Sequence, residues 1–503
     1  MRMKRRALIA GLMTLLGGWW LPLLNGGWGF FQMNEGATAQ AVKNARFAGR
    51  LSGCRVPGLD EEVLCGRYEV YENRVARKGR KISLKVVVIP ARAEKAAPDP
   101  LVYLAGGGVL PATEYAPFFA RNFASLRQER DILLVDQRGA GESNPLPCNL
   151  PLAPDRSEFA EARYLEAIRR CRNELEAKAD LRFYTTPLAM DDLDEVRQWL
   201  GYAQLNLYGM SYGTKAAQVY LRQRPTRVRV IAMHGVVPLD TSMWSDTPRL
   251  AQAALERVFN QCTGQEPCRA AFPNLKPEFD DLLARLSKES VSLKVARPNG
   301  GQTVDITLTD QSVREFVYGA MSSANAIRTL PLLLSLVHQG NYQPLAQRLI
   351  PGGRGVPRGV FLSIACGEAI SLVDPNRIRE AAANSFMGES GLRRLVGSCQ
   401  EWPKGALPKN FWTPVKASLP VLILTGALDH TTPPQYGDAV ARTLTGARHL
   451  TLPNRSHNDV DPCVAGLIEN FVISGKTEGL NTSCVTSEEG LSFVTSLDAL
   501  RKP

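Results

Sequence analysis

Ser211 lies in Gly209-Met210-Ser211-Tyr212-Gly213, and the flanks of this pentapeptide constrain the fold more than any other feature of the chain. Gln204-Leu-Asn-Leu-Tyr208 before it has the length and apolar character of a short buried strand. Thr214–Arg222 after it carries Ala216, Ala217, Val219 and Tyr220 at helical spacing. Alone, the pattern would suit any Gly-rich turn. Between a strand and a helix it predicts a turn so tight that only small residues flank it, with the serine hydroxyl lifted above the sheet edge as a nucleophile.

A serine hydroxyl is a poor nucleophile until a histidine takes its proton and an acid orients that histidine. In the α/β-hydrolase arrangement these partners follow in the order Ser, acid, His. The chain has five histidines, which narrows the search. His234 ends the strand Val228–Met233 and comes too early for that order, and His338 closes an apolar helical run. His430 neighbours the candidate acid, and His449 enters a strand running to Leu452. His457, in the loop Asn454-Arg-Ser-His-Asn458 after that last strand, is placed where the base belongs. The run Leu419-Pro-Val-Leu-Ile-Leu-Thr-Gly-Ala-Leu-Asp429 delivers an acid past the preceding strand, with Asp240 and Asp459 as alternatives. The expected triad is Ser211, Asp429 and His457.

Acyl chemistry also needs donors aimed at the developing oxyanion. The N–H of Tyr212, next after the nucleophile, is one candidate. Gly106-Gly107-Gly108 follows the strand Leu101–Ala105, and glycines let a backbone N–H turn toward a substrate, so Gly107 is the expected second donor.

Asp136-Gln-Arg-Gly-Ala-Gly-Glu-Ser143, after the strand Asp131–Val135, resembles the D-Q-R-G-x-G-x-S signature of prolyl aminopeptidases. Gly209–Thr214, Gly426-Ala-Leu-Asp429-His-Thr-Thr-Pro433 and Leu480-Asn-Thr-Ser-Cys484 are similar to the secreted tripeptidyl and prolyl aminopeptidase branch of that group. The resemblance runs from about Cys54 to Val485. One departure is plain: the family has H-G-G-P-G at the oxyanion loop, where this chain has Ala105-Gly-Gly-Gly-Val109. The donors there are backbone groups, so the hole can survive, while the missing His and Pro bear on loop shape and so on substrate preference. A triple-Gly loop also occurs in some esterases. The resemblance implies an α/β-hydrolase fold, a mostly parallel sheet with an inserted helical cap, and a serine aminopeptidase without cofactor or metal.

An aminopeptidase must hold a free α-ammonium, which calls for a carboxylate at fixed distance from the serine. Cys366-Gly367-Glu368 is similar to the Cys-x-Glu of those secreted relatives, so Glu368 is the expected anchor, against the plain alternative of a surface ion pair. A carboxylesterase of the same fold would need no anchor and stands as the alternative activity. A non-catalytic binding protein would not need the full set of triad and oxyanion elements.

The N-terminus predicts export. Met1–Arg6 is basic and Ala7–Asn34 is uncharged, which suits either a secretory signal or a membrane anchor. Ala37-Thr-Ala39 offers a small-x-small cleavage site, so cleavage after Ala39 is expected. That would remove four basic residues and one acidic one, lowering the net charge from +11 to +8. The remaining positives are interspersed with acids, without a basic stripe carrying aromatics, so nucleic-acid binding is not expected. Ten cysteines fall into five local couples: Cys54 with Cys65, Cys148 with Cys171, Cys262 with Cys268, Cys366 with Cys399, and Cys463 with Cys484. Sequence does not fix connectivity, but nearest-neighbour bridges in an oxidising compartment are the economical expectation. The sequon Asn454-Arg-Ser456 beside the proposed base favours a bacterial periplasm or medium, because a glycan there would crowd the site.

Strand and helix patterns alternate from Lys81–Ile89 to about residue 239, which predicts a mostly parallel sheet covered on both sides. Helical patterns then dominate to about Pro408, and the sheet resumes at Leu419. The expected organisation is a leader at 1–39, core at 40–239, a helical cap at 240–408 and the remaining core at 409–503. The expected partner is a peptide with a free N-terminus, and the expected location is the periplasm or the medium.

Overall fold

The computed structural model describes residues 46–107, 109–148, 150, 158–297, 301–350, 358–486 and 490–501. The expected leader, and the Pro- and Gly-rich stretch at 351–357 that the sequence sets within the expected cap, lie outside the described residues. Strands β1 (Ser52–Cys54), β2 (Val63–Tyr71), β3 (Lys81–Ile89), β4 (Leu101–Leu104), β5 (Ile132–Val135), β6 (Leu205–Met210) and β7 (Val228–His234) precede the cap. β8 (Val291–Val295) and β9 (Val304–Leu308) form a hairpin within it, and β10 (Val421–Gly426) and β11 (Ala447–Leu452) follow it. The main sheet has the order β1-β2-β3-β5-β4-β6-β7-β10-β11. It is antiparallel from β1 to β5 and parallel from β5 through β4 to β11.

Both faces are buried, and the period-two alternation of the strands decides which side chain goes where. Val86, Val102, Leu104, Leu133, Ile231 and Met233 face one core with the helices Thr186–Leu200 and Tyr212–Gln223. Val87, Leu101, Tyr103, Ile132, Leu134, Val230 and Ala232 face a second core with Ala116–Asn122 and Pro462–Ser474. A third core lies among Met243–Thr263, Leu275–Lys288, Asp310–Ala320 and Ala324–His338, between β7 and β10 in sequence. This is the helical cap. Among the described residues no helix is long and apolar enough to cross a membrane.

Three local expectations are corrected. β3 does not open the sheet: β1 and β2 precede it on the antiparallel edge, where Val63-Leu-Cys-Gly-Arg-Tyr-Glu-Val-Tyr71 mixes buried and part-exposed residues. β6 runs two residues past Tyr208, through Gly209 to Met210, and the next helix starts at Tyr212 rather than Thr214, so the elbow turn is shorter than the pattern suggested. Within the cap, hairpin pairing between β8 and β9 interrupts the helices.

All ten cysteines pair as the five nearest-neighbour bridges. Cys54 bonds to Cys65, tying β1 to β2, and Cys148 bonds to Cys171 in the helix Glu158–Glu176. Cys262 bonds to Cys268, joining two consecutive cap helices, while Cys366 bonds to Cys399 and Cys463 to Cys484. The Cα–Cα separations run from 4.9 to 5.9 Å, each within the ordinary range for a disulfide. Protein purified oxidised and then denatured should titrate no free thiol with a thiol-reactive dye. Two or more thiols per chain would contradict the pairing.

Candidate active site

The elbow forms because its neighbours leave no room for anything larger. A Cβ on Gly213 would collide with the Leu104 carbonyl, and one on Gly209 with the Gly213 backbone. Ser211 itself takes φ 52° and ψ −119°, a region costly for a residue with a side chain. That geometry is held from several sides. Ser211 N–H donates to the His234 carbonyl at 2.9 Å, tying β6 to β7. The Ser211 carbonyl accepts from Thr214 N–H at 2.9 Å and from the Thr214 hydroxyl at 2.6 Å. The same hydroxyl accepts from Val237 N–H at 2.9 Å.

The three expected triad residues meet, from three separate segments at the C-terminal ends of β6, β10 and β11. Ser211 Oγ is 3.0 Å from His457 Nε2, and His457 Nδ1 is 2.8 Å from Asp429 Oδ2. A carboxylate only accepts, so Nδ1 carries the proton and Nε2 is free to accept from the serine. Asp429 is fully buried. Its Oδ1 accepts from Thr431 and Thr432 N–H at 2.8 and 2.7 Å, and its Oδ2 from the Thr432 hydroxyl at 2.7 Å. Thr432 Oγ1 is also 3.0 Å from His457 Nδ1, so this threonine braces both members of the pair. Its role was not anticipated, although a hydroxyl three residues beyond a turn aspartate is a pattern that could have signalled it. Gly235, at φ +62°, makes space for the pair: a Cβ there would stand 2.8 Å from Thr432 Oγ1 and 3.2 Å from His457 Nδ1.

Burial opposes charge on His457, but the charge and hydrogen bond of Asp429 outweigh it and raise the imidazole above its ordinary value of 6.5. Burial likewise opposes charge on Asp429, yet His457 and the Thr432 hydrogen bonds hold it below the usual carboxylate range. A base must be neutral to accept a proton. Catalytic efficiency should therefore climb with pH through a midpoint above 6.5. A pH profile of kcat/KM flat from pH 5 to 8 would contradict His457 as the base.

The other histidines are accounted for. His234 and His430 are buried, and burial pushes each down to about 4, so both stay neutral beside the triad. His430 packs edge-on against Tyr318, with ring centroids 4.4 Å apart. His449 pairs with Asp438 at 2.8 Å and His338 with Asp281 at 3.2 Å, both away from Ser211 in the hydrogen-bond network. Of the alternative acids, Asp459 accepts from Ser456 and Ala324 N–H and so shapes the base loop, and Asp240 contacts Thr241.

On the oxyanion side, Tyr212 is the first residue of its helix, where backbone N–H groups lack intrahelical partners. Gly106 runs against the elbow: a Cβ on it would sit 3.0 Å from both Met210 O and Ser211 Cβ. Gly107 follows at φ +67°. The D-Q-R-G segment is a buttress behind this edge. Asp136 accepts from Thr113 and Glu142 N–H at 2.9 and 3.1 Å, and buried Arg138 pairs with Asp192 at 2.6 and 2.8 Å. Gln137 Oε1 lies 3.4 Å from the Tyr212 hydroxyl.

Glu368 is fully buried in a π-helical turn of the cap, Ala365–Ala369, anchored by Cys366–Cys399. Its Oε1 accepts from Thr186 N–H at 2.6 Å and its Oε2 from the Thr186 hydroxyl at 2.8 Å. The Thr186 hydroxyl is 2.7 Å from the Tyr212 hydroxyl, so the carboxylate reaches the residue beside the nucleophile through one side chain. Burial raises its pKa, opposed by buried Lys215, whose own pKa burial lowers. The surface ion-pair alternative is thereby excluded. Two of the roughly four acceptor positions on the carboxylate are occupied by Thr186, leaving capacity for a further donor.

Comparison with known proteins gives the family. The family model for the alpha/beta hydrolase fold matches residues 100–461. The chain is 24% identical over 498 residues to the tripeptidyl aminopeptidase of Streptomyces lividans, covering 90% of this chain and 89% of that one. It is 24% identical over 469 residues to the serine protease Hip1 of Mycobacterium tuberculosis, covering 86% and 88%. Among solved structures, a proline iminopeptidase of Mycobacterium smegmatis aligns over 82% of this chain and 98% of its own, with 17% identity and a TM-score of 0.38.

Proposed function

Because this chain belongs to the α/β-hydrolase family and is a serine hydrolase, we propose that it is an exported aminopeptidase that releases one residue, or a short tripeptide, from peptides with free N-termini. The observation that carries this is the Ser211–His457–Asp429 relay, at 3.0 and 2.8 Å, set beneath a helical cap. Ser211 Oγ attacks the scissile carbonyl while His457 Nε2 takes its proton. The N–H groups of Tyr212 and Gly107 receive the oxyanion. His457 then gives the proton to the leaving amine, and an acyl-enzyme remains on Ser211. Water, deprotonated by His457, attacks this ester, and the released serine recovers its proton. Asp429 holds the tautomer and stabilises the transient imidazolium.

The peptide class is supported by full-length similarity to relatives named tripeptidyl aminopeptidase and serine protease. Five disulfides support an oxidising compartment, periplasm or medium. We assign 1–39 as leader, 240–408 as cap, and 40–239 with 409–503 as core.

Glu368 is proposed as the ammonium anchor, supported by its burial and its link to Tyr212. A carboxylesterase is the second reading, favoured by one observation: Thr186 already holds this carboxylate, and Lys215 already faces it. Glu368→Gln separates the two. Glutamine can accept from Thr186 N–H and donate to the Thr186 hydroxyl, so the turn should persist. Loss of the charge should cost roughly 2–4 kcal/mol of transition-state binding, about 30- to 1000-fold in kcat/KM on free-amine anilides. N-acetylated anilides should be poor substrates for both proteins, and p-nitrophenyl acetate should react almost equally with both. Wild-type enzyme that cleaves acetylated and free-amine anilides alike would defeat the aminopeptidase assignment.

A further inference from the structure

The cap borders a part-open cavity of about 360 Å³, within the size range of small-ligand sites. Four cap helices supply most of its walls, Met243–Thr263, Asp310–Ala320, Arg358–Ile364 and Ser390–Glu401, with Leu150 and Tyr164 added from outside the cap. Trp244 and Phe361 meet edge-to-face at 6.1 Å, and Leu392 and Leu395 come from the helix opposite. The polar side is Gln311, Glu315, Arg358 and Arg394, and Glu315 Oε1 takes Gln311 Nε2 at 2.9 Å and Arg394 at 3.2 Å. Such a lining suits an apolar or aromatic side chain carried on a polar backbone.

One wall of the cavity adjoins the acid loop of the triad. Tyr318, which lines it, packs edge-on to His430 at 4.4 Å. Its hydroxyl is 3.4 Å from the Thr431 hydroxyl, and Thr431 N–H donates to Asp429 at 2.8 Å. Tyr318 therefore stands between the cavity and the acid loop. The volume is more than a single prolyl ring fills.

We propose that this cavity receives residues near the N-terminus of the peptide being cleaved, and that Trp244, Phe361 and Leu392 select a bulky apolar side chain at one of the first three positions. The inference rests on the peptidase reading above and extends it to substrate class. It predicts oligopeptides bearing an aromatic or large aliphatic residue, rather than single prolyl residues, as preferred substrates.

Gly391 gives a direct test, because a Cβ built on it meets nothing within 4 Å and it lines the cavity. Gly391→Phe would fill the space from within, and Phe361→Ala would remove a wall. The substrates are free-amine tripeptidyl 4-nitroanilides, all-alanine or with phenylalanine replacing one alanine at a time. In wild type, one position should prefer phenylalanine over alanine by about 10- to 100-fold in kcat/KM, as burial of a large apolar side chain implies. Within each variant that ratio should fall to near one, and taking it within one protein cancels any general loss of activity. Near-ultraviolet circular dichroism checks that both variants keep their packing. Absence of a phenylalanine preference at every position, or its survival in both variants, would overturn the pocket assignment while leaving the peptidase intact. Hydrolysis of p-nitrophenyl acetate with none of the anilides would remove the peptidase reading and this inference together.

Discussion

Ser211→Ala should lose at least about 10⁴-fold in kcat on any acyl substrate, leaving only what the oxyanion donors and binding provide. The change removes the attacking atom and nothing that holds the fold. Backbone groups of Ser211 make its bonds to His234 and Thr214, so they survive the substitution. His457→Ala should do comparable damage, because the residues act as a unit. The strained backbone supplies an independent check. A residue with a side chain at φ 52° and ψ −119° carries a conformational cost that glycine avoids. Ser211→Gly should therefore be inactive yet more stable than wild type, by about 1 kcal/mol in a urea titration. An inactive Ser211→Gly that is also markedly less stable would mean the elbow is not the strained turn described here. Activity above about a hundredth of wild type in either serine variant would remove Ser211 from the chemistry.

Asp429→Asn should cost a similar factor, about 10⁴ in kcat, through the tautomer of a residue it does not itself replace. The direction of the new amide is forced. Thr431 and Thr432 N–H both point at Oδ1, so the amide oxygen must remain there and the NH₂ must take the Oδ2 position. That NH₂ faces His457 Nδ1, at 2.8 Å in the parent, and can only donate to it. The imidazole proton is driven to Nε2, where it faces Ser211 and cannot accept the serine proton. The substitution also removes the charge that holds the His457 pKa up, so any residual activity should titrate at lower pH than wild type. The folded state should remain, since three of the four groups around the carboxylate still find partners. A variant retaining a tenth of wild-type kcat would show that Asp429 does not orient His457.

Much of the site was legible in the sequence because its parts are local. The elbow is specified by small residues around one serine, and the acid and base each follow a recognisable apolar strand. Five cysteine couples, from Cys54 with Cys65 to Cys463 with Cys484, were close enough in sequence for nearest-neighbour pairing to be correct. What stayed hidden depends on distant side chains meeting. Thr186 is an ordinary helix-start threonine until Glu368, 182 positions later, places both oxygens on it. The buried Arg138–Asp192 pair, 54 positions apart, turns a family signature into a support for the catalytic edge. β1 and β2 escaped notice because an antiparallel sheet edge tolerates exposed and charged residues such as Arg67 and Glu69, which blur a strand's apolar pattern. The β8–β9 hairpin was lost among helical patterns because its alternation covers only five residues per strand.

The most direct test joins the nucleophile to the free amine in one experiment. The protein is incubated with a diphenyl phosphonate analogue of an aminoacyl substrate, once with its amine free and once N-acetylated. Adduct formation is followed by intact mass, and the site is located by peptide mapping. One adduct per chain, on the peptide containing Ser211 and formed at least about tenfold faster from the free amine, is the expected result. An adduct on any other residue, or equal rates for the two reagents, would contradict an aminopeptidase acting through Ser211.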